Sequence, residues 1–404
     1  MSKKRSIETG VALEARIQRL FICQGAFAER ALLLRPAREA ANLVTDVDVV
    51  AHDYSINFHH TRIYAECKGG RNVSTLDRVI WVRGMMSVLG AERGYLVLDH
   101  CNPESSTFAT SNGVEILQEA GLSALENALR IGSGFWPGRA NFFVYEPLER
   151  SLAKEADGKR SNLQNWIRQA SEIWREASAL SFSYGRLNNL LSQIEQLGAL
   201  LKTETPPPQS APIYAYAAGA LLVRLSQYVL FAASDTLGMT KTERENFIAE
   251  RLTSGSLGLE QTRKVVRSAL NLAKAKLQEH GVETPPNWDA EHLVAPPSYA
   301  RTFAEVVDRV VADGHRARML PLVLELRLFG YVGDERGSSG LIKRVGFALP
   351  ITGLIRGFAV QSLGLPEDWA LGPVTYFKDV KKVSEDTNDP KEGGESLVLP
   401  GMKS

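Results

Sequence analysis

Residues 62–70 read RIYAECKGG, and this stretch predicts a buried strand that carries two charged side chains. Most of its residues are of the kind that a sheet interior favours, but Glu66 and Lys68 are not. Because residues i and i+2 of a strand point to the same face, the carboxylate and the ammonium are aimed in one direction. Two interpretations are open: an ion pair on a solvated surface, or part of a site.

The stretch TDVDVVA, at 45–51, places a further carboxylate beside this strand. Asp48 lies in a strand otherwise made of valines, and Asp46 lies two residues earlier on the same face. If the polar loop HDYSINFHHT joins two neighbouring strands, Asp48 comes next to Glu66 and Lys68. The phasing of VDVVA favours Asp48 over Asp46 as the functional residue.

Three carboxylates and one lysine then form a set with recognisable chemistry: Asp48, Glu66, Lys68 and Glu14, which lies one turn from the apolar stripe of the first predicted helix. Mg²⁺ prefers carboxylate oxygens and keeps several waters, so one or two protein carboxylates suffice to hold it. Such an ion polarises a phosphodiester and lowers the pKa of a water. A neighbouring lysine can orient that water or accept its proton. The set therefore predicts metal-assisted hydrolysis of a phosphodiester.

The elements around this set predict an α/β sandwich with one mixed sheet, extending to about residue 147. Helical periodicity is present at 11–27, where Gly25 is placed to end the helix, and at 75–94. Short apolar runs predict four strands, NLVTDVDVVA, RIYAECK, GYLVLD and NFFVYE. The predicted order is helix, strand, strand, helix, strand, helix, strand. His59 and His60, in the loop between the first two strands, are interpreted as solvated.

A mainly α-helical domain is predicted for residues 150–375. Leu163, Trp166, Ile167, Ala170 and Trp174 follow helical spacing at its start. The apolar run at 211–234 contains Arg224 and Gln227, which favours a buried helix over a membrane span. Residues 378–404 are polar and predict a disordered tail. The role of the helical domain stays open between recognition of DNA, dimerisation and regulation.

Composition limits the class of protein. The chain has 404 residues, of which 44% are hydrophobic, and a formal net charge of +1, so a nucleic-acid partner would have to be bound by a local basic patch. Its 3 cysteines form no CxxC pair, which argues against a disulfide framework and a zinc site. The basic N-terminus leads into no apolar segment, so no signal peptide is expected. We expect a cytoplasmic protein without a membrane partner.

The ordered set of motifs at 8–120 resembles the PD-(D/E)xK nuclease superfamily, and within it the Mrr-like restriction endonuclease domain. In that branch a glutamate in the first helix precedes a VDVVA-like strand, an ECKGG segment and a helix. RGYLVLD at 93–99 and FATSNGVEIL at 108–117 continue the resemblance. Val47 stands where the superfamily has the proline that gives it its name.

The resemblance implies a restriction-endonuclease-like fold for residues 1–147 and a role for each site residue. Asp48, Glu66 and the Cys67 backbone carbonyl would bind Mg²⁺, with Mn²⁺ as a substitute, Lys68 would be the catalytic lysine, and Glu14 an accessory acid. Apart from the resemblance, Arg71 and Arg78 follow Lys68 closely in the sequence, so two interpretations are open for them: contacts with phosphates that flank the scissile bond, or solubility of the following helix.

The implied activity is an endonuclease that cuts DNA in prokaryotic restriction or antiviral defence. The implied assembly is a homodimer or larger, with room for an additional defence-system subunit. Two alternatives stay open: a nuclease that acts on branched DNA or RNA, and a non-catalytic or trigger-dependent component that binds nucleic acid.

Overall fold

The computed structural model describes a five-stranded mixed sheet with flanking helices, followed by a mostly helical remainder. The residues that it describes are 2–35, 43–69, 74–131, 142–157, 161–176, 180–208, 210–283, 288–328 and 345–370. The sheet order is β1-β2-β3-β4-β5, and its strands are β1 (Phe27–Leu34), β2 (Thr45–Tyr54), β3 (His60–Lys68), β4 (Arg93–Leu98) and β5 (Val114–Gln118).

The sheet has an antiparallel half and a parallel half. Strands β1, β2 and β3 form an antiparallel meander, whereas β3, β4 and β5 are parallel and are therefore joined by helical crossovers. The helices of this part are α1 (Ser2–Cys23), α2 (Thr75–Leu89), α3 (Pro103–Ser111) and α4 (Glu119–Ala128). Helix α1 ends where the sequence predicts, because Gly25 has a φ of +96°.

Helices α1 and α2 cover opposite faces of the sheet. Ile17 and Phe21 of α1 pack with Val49 and Ala65 in one buried cluster. On the other face, buried residues of α2 pack with Val50, Tyr64 and Leu96. The hydroxyl of Ser74 caps the start of α2 and Gly90, with a φ of +61°, ends it. The cap fixes the first turn of α2 a few residues after the end of β3.

The remainder of the described chain is helical, as the sequence predicts. Its helices are α5 (Phe142–Asp157), α6 (Asn162–Arg175), α7 (Tyr184–Thr203), α8 (Ala211–Asp235), α9 (Lys241–Ser254), α10 (Leu259–Glu279), α11 (Ala290–Leu293), α12 (Ala300–Ala312), α13 (Gly314–Ala317), α14 (Leu320–Leu328), a 3-10 helix (Gly346–Ile351) and α15 (Thr352–Gln361). The expected amphipathic face of α6 is buried, including Trp166 and Trp174.

Helix α8 is the centre of this helical part. It is long and apolar enough to cross a membrane by length and composition, but 89% of its most apolar window is buried inside the fold. Arg224 and Gln227, the two polar residues that interrupt the run, are fully enclosed, and the guanidinium of Arg224 donates to Gln227 at 2.6 Å. The buried-helix interpretation is therefore the one that the fold supports.

The helical part packs directly on the sheet. Phe27, Tyr54 and Phe58 of the sheet region belong to the main hydrophobic cluster of the helices. In the opposite direction, Met319, Leu322 and Val323 complete the cluster beneath α1. Gly314 lies so close that a Cβ there would be 2.4 Å from the carbonyl oxygen of Ile56. The sheet part and the helical part therefore both contribute residues to two hydrophobic clusters.

Two strand assignments from the sequence are corrected by the structure. The stretch NFFVYE, predicted as the last strand, lies in helix α5 from Phe142 onward. A short apolar run does not by itself distinguish strand from helix, and Leu148 and Leu152 continue it at helical spacing into a buried face. The last strand of the sheet is instead β5, which begins within the motif FATSNGVEIL and extends one residue beyond it.

Strand β1 was not predicted, because Glu29 and Arg30 interrupt its apolar pattern. Both side chains are buried, and their charges are met by residues distant in sequence: Arg224 donates to Glu29 at 2.7 Å, and Arg30 lies 4.0 Å from Glu14. The predicted tail at 378–404 and the end of the predicted helical domain at 371–375 lie outside the described residues.

Candidate active site

The site lies where β2 and β3 run side by side. Their antiparallel register pairs Val49 with Ala65, which brings Asp48 to the end of β3 that carries Glu66 and Lys68. The Cys67 backbone N–H donates to Asp48 Oδ2 at 2.7 Å. Asp48 is 5% exposed, whereas Asp46 is exposed, so the favoured aspartate is the one that the fold encloses.

Lys68 lies between two buried carboxylates. Its Nζ is 3.1 Å from Glu66 Oε1 and 3.6 Å from Asp48 Oδ2. Glu66 is 3% exposed, whereas 31% of the Lys68 side chain is accessible. A solvated surface ion pair, one of the two interpretations of RIYAECKGG, does not match this burial. The ammonium is the solvent-facing member of an enclosed cluster.

Tyr64 fixes the second oxygen of Glu66. It is buried, it lies on the same face of β3 as Glu66 and Lys68, and its hydroxyl donates to Glu66 Oε2. Oε1 is thereby left to face Lys68 and Arg78. The sequence alone predicts Tyr64 as an ordinary interior residue of the strand. Its i−2 position relative to Glu66 was the available signal, since it predicts a shared face.

Glu14 of α1 reaches the same cluster from the other side. Burial, and after it the negative charge of Asp48, raises the pKa of Glu14 to about 8, while Arg30 at 4.0 Å opposes the rise. The structure thus places Glu14 within electrostatic reach of Asp48 and Lys68, and Lys68 in turn contacts Glu66. Arg30 is a neighbour that the sequence did not reveal.

The cluster holds more negative charge than its lysine balances. Burial and the charge of Glu66 raise the pKa of Asp48 to about 7, although Lys68 and the Cys67 N–H oppose the rise. Burial alone would lower the pKa of Lys68, but Asp48 and Glu66 outweigh it and the pKa is raised. Lys68 is therefore an ammonium at neutral pH.

The donor set fits a hard divalent cation. Burial opposes the ionisation of Asp48 and Glu14, so a cation nearby would stabilise their charged forms. Mg²⁺ needs only one or two carboxylates because it keeps several of its waters. Side chains alone do not make a closed cage: among the described residues, no group of three or more His, Cys, Asp and Glu side chains is arranged to hold an ion. The chemistry of the donors therefore suits Mg²⁺ with water as a co-ligand better than it suits zinc.

The two predicted nucleic-acid contacts have different outcomes. Arg78, in the first turns of α2, lies 3.5 Å from Glu66 Oε1 and is 39% exposed, so it stands at the rim of the site. Arg71 lies outside the described residues.

His60 corrects a further expectation. It begins β3, where its Nε2 lies 2.9 Å from His52 Nδ1, and its ring stacks on Tyr54. His59 is exposed, as the sequence predicts.

Comparisons with known proteins do not add to this geometry, since no protein-family model, curated protein or solved structure matches the chain.

Proposed function

We propose that the chain is a Mg²⁺-dependent endonuclease of the PD-(D/E)xK type that hydrolyses phosphodiester bonds in DNA. The observation that carries the proposal is the enclosed arrangement of Asp48, Glu66 and Lys68 at adjoining strand ends, with Nζ within 3.6 Å of both carboxylates. DNA as the substrate, and a place in prokaryotic restriction or antiviral defence, rest on the resemblance of the motifs at 8–120.

Asp48 and Glu66, together with the Cys67 carbonyl, would hold the ion. When bound, Mg²⁺ supplies positive charge to the phosphodiester and to the attacking water. The Lys68 ammonium would donate hydrogen bonds to a phosphate oxygen or orient the water. Tyr64 keeps Glu66 in position, and Glu14 would act as an accessory acid beside Asp48.

Substrate contacts begin at the rim of the site. Arg78 is partly exposed and would move from Glu66 to a phosphate that flanks the scissile bond. Arg71 is proposed for the same role from its sequence position. Such contacts would make binding salt-dependent and independent of sequence.

The exposed face of α2 supports the proposed homodimer. Leu76, Ile80, Trp81 and Val88 are large apolar residues that this helix leaves exposed. Asp77 and Arg83 lie three residues on either side of Ile80. A two-fold antiparallel pairing centred on Ile80 would therefore set each Asp77 against the partner copy's Arg83, so the face is complementary to itself in charge as well as apolarity.

A second function has one observation in its favour. Glu66 is contacted by two cations, Lys68 at 3.1 Å and Arg78 at 3.5 Å. Both would have to move away from Glu66 before a metal ion and a phosphate could bind. This suits a component that binds nucleic acid and cuts only after a trigger. A nuclease for RNA or branched DNA would use the same residues.

Cleavage assays test the proposal. Plasmid, linear and single-stranded DNA and RNA are incubated with Mg²⁺, Mn²⁺ or EDTA, and the wild type is compared with Lys68→Ala and Asp48→Ala. Asp53→Ala, an exposed aspartate of the same strand, and Lys276→Ala, an exposed lysine of α10, are the matched controls. Metal-dependent cutting that only the two site variants lose is expected. Tight binding without cutting in every protein would favour the triggered component, and cutting that survives both site variants would overturn the assignment.

A further inference from the structure

A cleft of about 550 Å³ opens between the end of α2 and the segment that leads into α7. Arg62, Arg186, Phe182 and Phe231 line it together with the backbone of Leu89 and Leu180. Arg62 lies on β3 four residues before Glu66, about 13 Å along the strand, so the cleft is separate from the candidate active site. It lies on the seam between the sheet and the helices, where ligand sites are common.

Arg62 brings an incompletely compensated positive charge to the cleft. Its two terminal nitrogens donate to the carbonyl oxygens of Leu89 and Leu180, and its Nε is buried with no hydrogen-bond partner. The Glu92 carboxylate accepts from the backbone N–H of Arg62 at 2.5 Å. Burial lowers the pKa of Arg62, and the charges of Glu92 and Glu29 oppose this without cancelling it. A half-buried cation held by neutral carbonyls favours an anion nearby.

Arg186 adds a second positive group on the facing wall. It lies in the first turn of α7, is half-buried, and donates to the Ser181 carbonyl at 3.1 Å. The first turn of α7 contains no acidic residue, and Ser183 caps it. The positive end of the helix dipole therefore adds to the positive electrostatic potential that the two arginines produce in the cleft.

The remaining wall is aromatic. The rings of Phe182 and Phe231 are nearly parallel, with centroids 5.9 Å apart and an interplanar angle of 27°. Tyr228 supports Phe182 edge-on at 5.1 Å, which holds the ring in place. Ser87 and Ser181 also line the cleft. A flat ring could stack on these phenylalanines, while the serines supply polar contacts.

We propose that this cleft binds a nucleoside phosphate, with the phosphate at Arg62 and Arg186 and the base on Phe182 and Phe231. Few polar groups in a mainly apolar cleft of this volume are typical of sites for a ligand of nucleotide size. The planar guanidinium of an arginine donates to two oxygens of a phosphate at once, and this small cleft contains two arginines. The inference concerns binding alone and does not depend on nuclease activity.

Isothermal titration of the full chain tests the proposal, with AMP, GMP, CMP, UMP and ATP as probes. Adenosine, which has no phosphate, and inorganic phosphate, which has no ring, are titrated in parallel. At least one nucleotide is expected to bind at least tenfold more tightly than either fragment. Arg186→Ala should weaken that nucleotide about tenfold or more, since it removes one charged contact. Phe182→Leu should weaken nucleotides but not inorganic phosphate.

The controls keep the test independent of folding. Arg168→Ala removes an exposed arginine of α6 and should leave affinity unchanged. Arg186 is half-buried, so the melting temperature of Arg186→Ala is compared with that of the wild type to establish that the variant folds. Absence of binding by all nucleotides at millimolar concentration, or equal binding of phosphate and nucleotides, would overturn the proposal. A further result would also overturn it: Arg186→Ala weakens the binding of a single-stranded oligonucleotide but not the binding of any mononucleotide. The cleft would then be part of a binding site for a polymer.

Discussion

Tyr64 connects the core of the sheet to the candidate site. Its ring lies in the cluster beneath α2, and its hydroxyl holds Glu66 Oε2. A hydrogen bond to a buried carboxylate both stabilises the fold and restricts the carboxylate to one orientation. If Glu66 binds a metal ion, loss of this hydrogen bond should weaken metal binding more than it destabilises the fold.

We predict that Tyr64→Phe lowers the metal affinity and the rate of cleavage while leaving the fold intact. The apparent Mg²⁺ concentration for half-maximal cleavage should rise about tenfold, as is typical when the partner of a metal ligand is lost. Stability should fall by only about 1–3 kcal/mol. Tyr95→Phe, on the next strand, is the matched control and should not change the Mg²⁺ requirement. An unchanged requirement in Tyr64→Phe would remove Tyr64 from the site.

Glu29 and Arg224 make the most enclosed ion pair between the sheet and the helices. Both side chains are 1% exposed, and their closest atoms are 2.7 Å apart. The net contribution of such a pair is small, but loss of one partner leaves a buried charge without its counter-ion.

We predict that Arg224→Met lowers the free energy of unfolding by about 3–5 kcal/mol. The double variant Arg224→Met with Glu29→Gln should recover part of this loss, because the carboxylate is removed as well. Urea denaturation measures both. Glu115→Ala, which removes an exposed pair with Arg93, should change stability by less than about 1 kcal/mol. A double variant less stable than the sum of its singles would contradict this account.

At the scale of elements, sequence patterns predicted the strands that carry the site, helices α1, α2, α6 and α8, and the helical character of the remainder. Strand β3 and the helix after it could be predicted because alternation and helical spacing are local properties. Strand β1 could not, because Glu29 is tolerated there only through Arg224, which lies 195 residues further along the chain. The i−2 spacing of Tyr64 and Glu66 predicts their shared face, but the hydrogen bond between them depends also on how the Tyr64 ring packs beneath α2.

Helix α2 carries the prediction for assembly. We expect Ile80→Lys to weaken self-association measured by sedimentation, since it places a charge at the centre of the apolar face. Asp77→Arg and Arg83→Asp should each weaken association, and the double reversal should restore it, because the two charges are exchanged across the two-fold axis. Leu272→Lys on α10 is the control. A monomeric wild type, or a double reversal no better than the singles, would exclude this pairing.

At the scale of the whole molecule, buried histidines link stability to pH. Burial lowers the pKa of His52, and burial together with His52 lowers the pKa of His60 to about 2. Below the unfolded value of about 6.5, the unfolded chain binds protons that these native imidazoles do not. Their contribution to stability is therefore present above about pH 6.5 and is lost as the pH falls. Glu14 and Asp48, whose pKa values are raised, act in the opposite direction, so only a difference between variants isolates the histidines.

We predict that the stability advantage of the wild type over His60→Gln shrinks between pH 7 and pH 5, by up to about 1.4 kcal/mol per pH unit. Chemical denaturation at a series of pH values measures it. The exposed His59→Gln, which removes the neighbouring imidazole, is the matched control. If the difference in unfolding free energy between the wild type and His60→Gln stays constant over this range, His60 titrates alike in the folded and unfolded chains.

The separation of Glu29 from Arg224 also has a consequence for synthesis on the ribosome. The first strand emerges early, yet its buried carboxylate meets Arg224 only after 195 further residues have been added. Proteins generally fold from the N-terminus as they are made, and long-range contacts delay that process. The nascent sheet must therefore wait for α8, and a chain released at residue 147 would hold the candidate catalytic residues but not the arginine that neutralises β1. Premature termination would yield a poorly folded fragment, so the helical part would be required before any cutting could begin.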